Sequence, residues 1–124
     1  MNVPSHFEMV GDRAEFRPTG ELTLAEVARA VTAAITTARE RRVTKLLVVT
    51  LGLAGFSPPG IGERYFVIRE WARASGGDVR LALVVPREVI DPQKFGITVA
   101  ANSGLEAEIF EMENDALSWL EQRR

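Results

Sequence analysis

The sequence contains no cysteine, which excludes disulfide bonds, thiolate nucleophiles and cysteine-bound metals. Histidine occurs once, as His6, and no group of histidines or carboxylates has the spacing of metal ligands. A histidine-based acid–base pair is excluded for the same reason. We therefore predict no metal, no cofactor and no catalytic residue, and we interpret His6 as a solvated strand residue near a chain end.

Long hydrophobic runs are also missing. The longest, Leu46–Leu51 and Leu81–Val85, have the length of strands, whereas a membrane span needs about 20 apolar residues. Met1–His6 lacks the charged and apolar regions of a signal peptide, so the expected location is the cytoplasm. The 15 basic and 17 acidic residues give a net charge of −2, which provides no electrostatic reason to expect nucleic acid or an anionic membrane as a partner.

The chain does have an ordinary hydrophobic content, 46% of its 124 residues. This content and length suit one hydrophobic core. Because the sequence shows no internal repeat, linker or low-complexity tract, we predict a single domain over residues 1–124.

The first residues predict a β-hairpin. Strands His6–Val10 and Arg13–Arg17 flank a two-residue turn, and Gly11 in its first position suits a type II′ turn because glycine accepts a positive φ. In the second strand, Ala14 and Phe16 alternate with charged residues. This period of two predicts a strand with one face in water.

Helices and apolar strands alternate through the rest of the chain. Thr23 and Glu26 have the spacing of a capping box, which predicts the start of the first helix. Leu46–Val49 and Leu81–Val85 predict adjacent parallel strands that are buried on both faces. The remaining predicted elements are a helix over Pro58–Ala74 closed by Gly76, a helix starting at Asp91-Pro92, an edge strand Glu106–Phe110 and a last helix capped by Asn114.

The resulting order, β-β-α-β-α-β-α-β-α, predicts an α/β fold. An N-terminal hairpin followed by alternating helices and strands gives a mixed, mostly parallel sheet with about four helices. Ligands of such sheets favour the crevice beyond the carboxyl ends of the strands. The residues predicted to lie at that rim are Thr19, Thr50, Phe56, Ser57, Arg87 and Glu88.

The second predicted helix carries the main candidate surface. Successive residues of a helix are rotated by about 100°, which places four apolar side chains on a stripe predicted to face the core: Ile61, Tyr65, Ile68 and Ala72. Phe66, Arg69 and Arg73 share a second face, and Val67 and Trp71 lie on the opposite flank. Exposed aromatic and arginine side chains are typical of binding hot spots. Alternatively, neighbouring helices cover Trp71 and Val67, and Arg73 pairs with Glu70.

Several segments carry a resemblance to a known family. They are Leu46–Leu51, the Gly52–Gly62 loop, the helix ending in Glu70-Trp71-Ala72, Val79–Val85, Asp91–Gly96, Ala101–Gly104 and Ala116–Leu120. Together they resemble the STAS domain of the SpoIIAA type, and most closely the STAS/SEC14-type SpoIIAA-like proteins. The resemblance covers nearly the whole chain. It implies a βα superhelix whose helices lie mainly on one side of the sheet.

The resemblance also bears on Ser57. Antagonist members of the family are switched by phosphorylation of a serine in an Asp-Ser motif at the start of the second helix. Ser57 stands near the matching position, but no Asp-Ser pair is present and two prolines follow directly. We therefore interpret Ser57 as a helix cap rather than a phosphorylation site.

From the resemblance and the missing catalytic groups we predict a non-catalytic binding or regulatory module. It is expected to act through contacts with a protein partner or with a second copy of itself. The alternative is a carrier of a small apolar or lipid-like ligand, and an enzyme using Ser57 or Lys94 ranks below both. The predicted binding residues are Phe56, Ser57, Phe66, Arg69, Trp71 and Arg73.

Overall fold

The computed structural model describes residues 5–55, 60–90 and 94–122. Within these ranges the chain forms seven strands and four α-helices. They are β1 (Phe7–Val10), β2 (Arg13–Phe16), β3 (Gly20–Glu21), α1 (Leu24–Glu40), β4 (Lys45–Val49), β5 (Leu53–Ala54), α2 (Ile61–Ser75), β6 (Arg80–Val84), α3 (Phe95–Asn102), β7 (Ala107–Phe110) and α4 (Glu113–Glu121). A 3₁₀ turn at Arg87–Val89 precedes α3.

The main sheet has the strand order β1-β2-β4-β6-β7. β1 and β2 are antiparallel across the predicted two-residue turn, where Gly11 has a φ of 63°. The other neighbours are parallel, and β4 pairs with β6 in the register Leu46↔Leu81. This arrangement confirms the predicted α/β class, the mixed and mostly parallel sheet, and the adjacent central strands.

Side chains of β4 enter two separate cores because successive residues of a strand point to opposite faces. Leu46 and Val48 pack with α1, α2 and α3, whereas Leu47 and Val49 pack with α4. All four side chains are buried. This burial on both faces explains why the run has no polar alternation. Three helices on one face and one on the other agree with the layering that the family resemblance implies.

The two tryptophans lie on opposite faces of this sheet. Trp71 of α2 belongs to the three-helix side, and Trp119 of α4 belongs to the other side. Trp119 packs against Phe110 with ring centroids 6.0 Å apart. The guanidinium of Arg80 lies 4.3 Å from the centroid of the Trp119 ring.

The charged face of β2 is not in water, contrary to the prediction. Glu15 is only 5% exposed, and its carboxylate accepts hydrogen bonds from Arg13 at 2.8 Å and from Arg17 at 2.7 Å. Arg17 also donates to Glu113 of α4 at 2.6 Å, and this guanidinium holds the pKa of the Glu113 carboxyl below its usual range. The alternating charges are therefore a part-buried ion network that links the sheet to α4.

The start of α1 follows the prediction. The Thr23 hydroxyl oxygen accepts from the Glu26 N–H at 3.1 Å, and the Glu26 carboxylate accepts from the Thr23 N–H at 2.8 Å. The end of α2 does so too, because Gly76 has a φ of 56° and closes the helix in the left-handed conformation. Pro58, where α2 was predicted to begin, lies outside the described residues, and the described helix begins at Ile61.

Two other helix starts were predicted wrongly. α3 begins at Phe95 because Lys94, with a φ of 51°, is left-handed and cannot continue a right-handed helix. Asp91 and Pro92, the predicted start, lie outside the described residues. α4 begins at Glu113 with Met112 as its N-cap, so Asn114 lies inside the first turn and does not cap the helix.

The short strands β3 and β5 were not predicted. They form a separate two-stranded parallel sheet with the register Gly20↔Leu53. Backbone hydrogen bonds from Gly20 N–H to the Gly52 carbonyl and from Leu22 N–H to the Ala54 carbonyl hold this pair. Strands of two residues are too short to show a period of two, so no pattern could reveal them.

Candidate functional site

The predicted inward stripe of helix α2 is correct for Ile68 and Ala72, which pack in the core, and wrong for Ile61 and Tyr65. Ile61 is 68% exposed and Tyr65 is exposed, whereas Trp71 is 6% exposed. The inward face therefore centres on Trp71, with Val67 and Ile68 beside it. Trp71 Nε1–H donates to the Ala28 carbonyl of α1 at 3.1 Å. The largest apolar ring lies inside because its burial removes the most apolar area from water.

The predicted binding residues are consequently divided between two places. Phe66 is 66% exposed, and Arg69 and Arg73 are exposed on the same outer face of α2. Trp71 does not share that face. Arg73 donates to Glu70 at 2.8 Å, so the alternative interpretation of Trp71 and of this ion pair is confirmed. Phe56 and Ser57 lie outside the described residues.

A cavity of about 110 Å³ lies on the inward side of α2. The sheet forms one wall through β6 and β7, and α1, α2 and α3 form the others. Its surface is almost entirely apolar. The apolar side chains that line it include Val27, Val31, Val67, Trp71, Leu83 and Ile109.

Polar groups of the cavity wall gather toward one edge of the sheet. Thr50 follows β4, Arg64 lies in the first turn of α2, and Lys94 directly precedes α3. In a parallel sheet, the loop that follows a strand lies at the carboxyl end of that strand. The first turn of the next helix lies there too. The polar side of this cavity therefore lies at the carboxyl ends of the strands, where the sequence predicts a ligand crevice.

The two cations of the cavity wall are held by neighbouring groups. Arg64 Nη2–H donates to the Val89 carbonyl at 2.9 Å. Lys94 Nζ lies 3.2 Å from Glu108 Oε1. This ion pair joins the residue before α3 to strand β7. These contacts connect α2 to the 3₁₀ turn and α3 to the edge strand at the polar end of the cavity.

The sequence analysis missed Arg64 as a site residue, although a signal was present. Arg64 lies seven positions before Trp71 and therefore shares a helix face with Val67 and Trp71. A helical wheel centred on Trp71 would have placed Arg64 beside these two residues. By contrast, Leu83 and Ile109 could not be assigned to a cavity, because a strand pattern indicates burial and not an empty space.

Within the described parts of the chain, no group of three or more histidine, aspartate or glutamate side chains could hold a metal ion. Among the helices so described, none is long and apolar enough to cross a membrane.

Comparison with known proteins finds a structural likeness only. No protein-family model matches the chain, and no curated protein matches it in sequence. Among solved structures it is similar to the anti-sigma factor antagonist SpoIIAA in its unphosphorylated form, with a TM-score of 0.47 and 21% identity over 94% of this chain and 97% of that chain. That protein is of the type that the sequence resembles. The likeness is one of fold alone.

Proposed function

We propose that this chain is a non-catalytic binding module that holds a small apolar ligand in the cavity beside Trp71. The observation that supports this function is the cavity wall, in which apolar side chains from two strands and three helices surround one space. Apolar concave sites with a few polar groups at one end are typical of small-molecule sites. This is the function we ranked second from the sequence.

The size of the cavity limits the ligand. An apolar cavity of about 150 Å³ stays dry and binds benzene or xenon. At about 110 Å³ the present cavity is somewhat smaller. It therefore suits an apolar group of roughly four to six carbon atoms. Such a group would restore the dispersion contacts that the lining atoms lack when the space is empty.

The position of Trp71 supports an apolar ligand. Its one polar atom, Nε1–H, already donates to the Ala28 carbonyl. The part of the ring that lines the cavity consequently offers only carbon surface. A ligand atom beside it needs no hydrogen bond to compensate for lost water.

Xenon tests whether the cavity accepts an apolar guest. In methyl-labelled protein under xenon pressure, we expect chemical-shift changes at Val67, Leu83 and Ile109, because these side chains line the cavity. Ala107→Leu, which adds three carbon atoms from the β7 wall, should remove most of the shift change. The matched control Ala33→Leu adds the same atoms on the exposed face of α1 and should leave the shifts intact.

Thermal unfolding of each variant establishes whether it is folded. Xenon shifts that are absent in the wild type, or unchanged in a folded Ala107→Leu variant, would contradict ligand binding in this cavity.

A second candidate function, self-association through the outer face of α2, is favoured by the exposure of Phe66. Glu63 and Arg73 are exposed, and each lies the same number of residues along the sequence from Ile68, the middle residue of α2. An antiparallel pairing of two copies about Ile68 would therefore place Glu63 of each copy beside Arg73 of the other. Such a two-fold contact is self-complementary, and it would cover the Phe66 rings.

Sedimentation velocity tests this pairing. We expect the wild type to form a dimer at high micromolar concentration and Phe66→Glu to remain a monomer, because the new carboxylate would be desolvated at the centre of the contact. Ala33→Glu, which adds the same charge on the exposed face of α1, serves as control and should dimerise. A monomeric wild type counts against self-association. Trp71→Glu is unsuitable, because it would place a charge in the core.

A further inference from the structure

The outer edge of β7 carries a side-chain contact that the proposed function does not use. In the described part of the chain, β7 is the last strand of the order β1-β2-β4-β6-β7, so one of its edges faces away from the sheet. We propose that the Glu108 side chain closes this edge against pairing with β7 of a second copy of the chain. This inference does not depend on ligand binding in the cavity.

The hydrogen bonds between β6 and β7 show which backbone groups of β7 point outward. The carbonyls of Glu106 and Phe110 accept from N–H groups of β6 and of the residue after it, each at 2.9 Å. Because the backbone groups of successive residues in a strand point to opposite edges, those of Ala107 and Ile109 point to the open edge. A strand added at this edge would form its hydrogen bonds with these two residues.

The Glu108 carboxylate lies at that open edge. Its Oε1 atom accepts from the Ile109 N–H at 3.0 Å and lies 3.2 Å from Lys94 Nζ. Side chains of a strand alternate between its faces, so Glu108 leaves the sheet on the α4 face, as Phe110 does. Lys94 precedes α3, which packs on the other face. The Glu108 side chain therefore passes around the edge of the sheet and occupies one of its outward donors.

A second copy of β7 is the strand that this contact excludes. Open edge strands can pair with another chain, and charged side chains at the edge oppose such pairing. A two-fold antiparallel pairing that uses both outward residues would set Ala107 of each copy opposite Ile109 of the other. The two Glu108 side chains would then lie directly opposite each other, where like charges are destabilising. Glu108 therefore opposes the pairing through its charge as well as through the Ile109 N–H.

Amide hydrogen exchange, measured by NMR at low protein concentration, tests the contact. Relative to the intrinsic rate of each sequence, we expect the Ile109 amide to exchange roughly tenfold faster in Glu108→Ala than in the wild type, because a hydrogen bond to a charged group is lost. The matched control Glu111→Ala removes a carboxylate that follows β7 and pairs with Arg87, and it should leave the Ile109 rate unchanged. Equal Ile109 rates in the wild type and Glu108→Ala would overturn the proposal.

Sedimentation velocity tests the pairing in the Phe66→Glu background, where association through α2 is removed. At high micromolar concentration, we expect Phe66→Glu to be a monomer both alone and combined with Glu111→Ala. Phe66→Glu combined with Glu108→Ala should form a dimer, because the edge is then open and the opposed charges are gone. In that dimer the Ile109 amide should again be protected from exchange, since it would bond to the second copy.

Two further outcomes would overturn the proposal. One is faster Ile109 exchange without a dimer, because Glu108 would then not control pairing. The other is a dimer of Phe66→Glu alone in which the Ile109 amide is protected, because the edge would then be open in the presence of Glu108. If Glu108→Ala does not fold, Glu108→Val replaces it in both measurements, because valine favours strands and has no hydrogen-bond acceptor. The xenon experiment is independent of all these results, so it tests the proposed function separately.

Discussion

Trp71→Ala is expected to lower the free energy of unfolding by about 3–5 kcal/mol. The side chain is 6% exposed and packs in the core that α1 and α2 share with the sheet. Its removal would enlarge an existing cavity of about 110 Å³, and the surrounding helices could close only part of the new space. Such a loss is a large share of the roughly 5–15 kcal/mol that stabilises a typical domain.

Urea unfolding of Trp71→Ala and two matched variants measures this effect. Trp71→Phe keeps an aromatic ring and should cost only about 1–2 kcal/mol, partly because the Ala28 carbonyl still accepts from the Thr32 hydroxyl at 2.9 Å. Phe66→Ala, an aromatic residue on the exposed face of the same helix, should change stability by about 0.5 kcal/mol or less. A Trp71→Ala loss no larger than that of Phe66→Ala would mean that Trp71 is not packed as described.

Arg80→Ala should cost about 3 kcal/mol. Arg80 is 8% exposed, and its guanidinium donates to the carbonyls of Trp119, Leu120 and Gln122 at 2.9–3.1 Å. Carbonyls in the last turn of a helix lack partners within the helix and form the negative end of its dipole. Alanine would leave them without this donor and would also remove the cation from the Trp119 ring.

Two controls separate this role from a general effect of charge. Arg80→Lys retains the cation but loses the fork of donors, so its stability should lie between those of the wild type and Arg80→Ala. Arg69→Ala removes an exposed arginine and should be nearly neutral. Hydrogen exchange offers a second measurement, because Arg80→Ala should speed exchange of the α4 amides more than that of the β4 amides. Equal acceleration in both elements would contradict a specific tether between Arg80 and α4.

Much of the fold could be predicted because its signals are local. The capping box of Thr23 and Glu26, the turn at Gly11 and the helix end at Gly76 each depend on neighbouring residues alone. The apolar strand Leu46–Val49 was equally clear, because burial on both faces removes every polar residue from the run. These signals determine the order of helices and strands along the chain. Right-handed crossovers between the strands then make the sheet mainly parallel.

The candidate site was harder to predict because it depends on how α2 is rotated. Apolar residues cover so much of this helix that the sequence allows more than one inward face. The structure selects the face centred on Trp71, where a hydrogen bond to Ala28 of α1 is available. The buried Glu15 was mispredicted for a similar reason, since its partner Arg17 depends on Glu113 of a distant helix. Contacts between elements far apart in sequence leave no periodic pattern.

The placement of the two tryptophans on opposite sides of the sheet has a spectroscopic consequence. Trp71 borders the cavity, whereas Trp119 lies against Arg80 and Phe110 in the other layer. The sequence contains no third tryptophan, so Trp119→Phe would leave Trp71, beside the proposed ligand, as the single tryptophan. Its emission would report the polarity of that space directly, and the reciprocal variant Trp71→Phe would report on α4 alone.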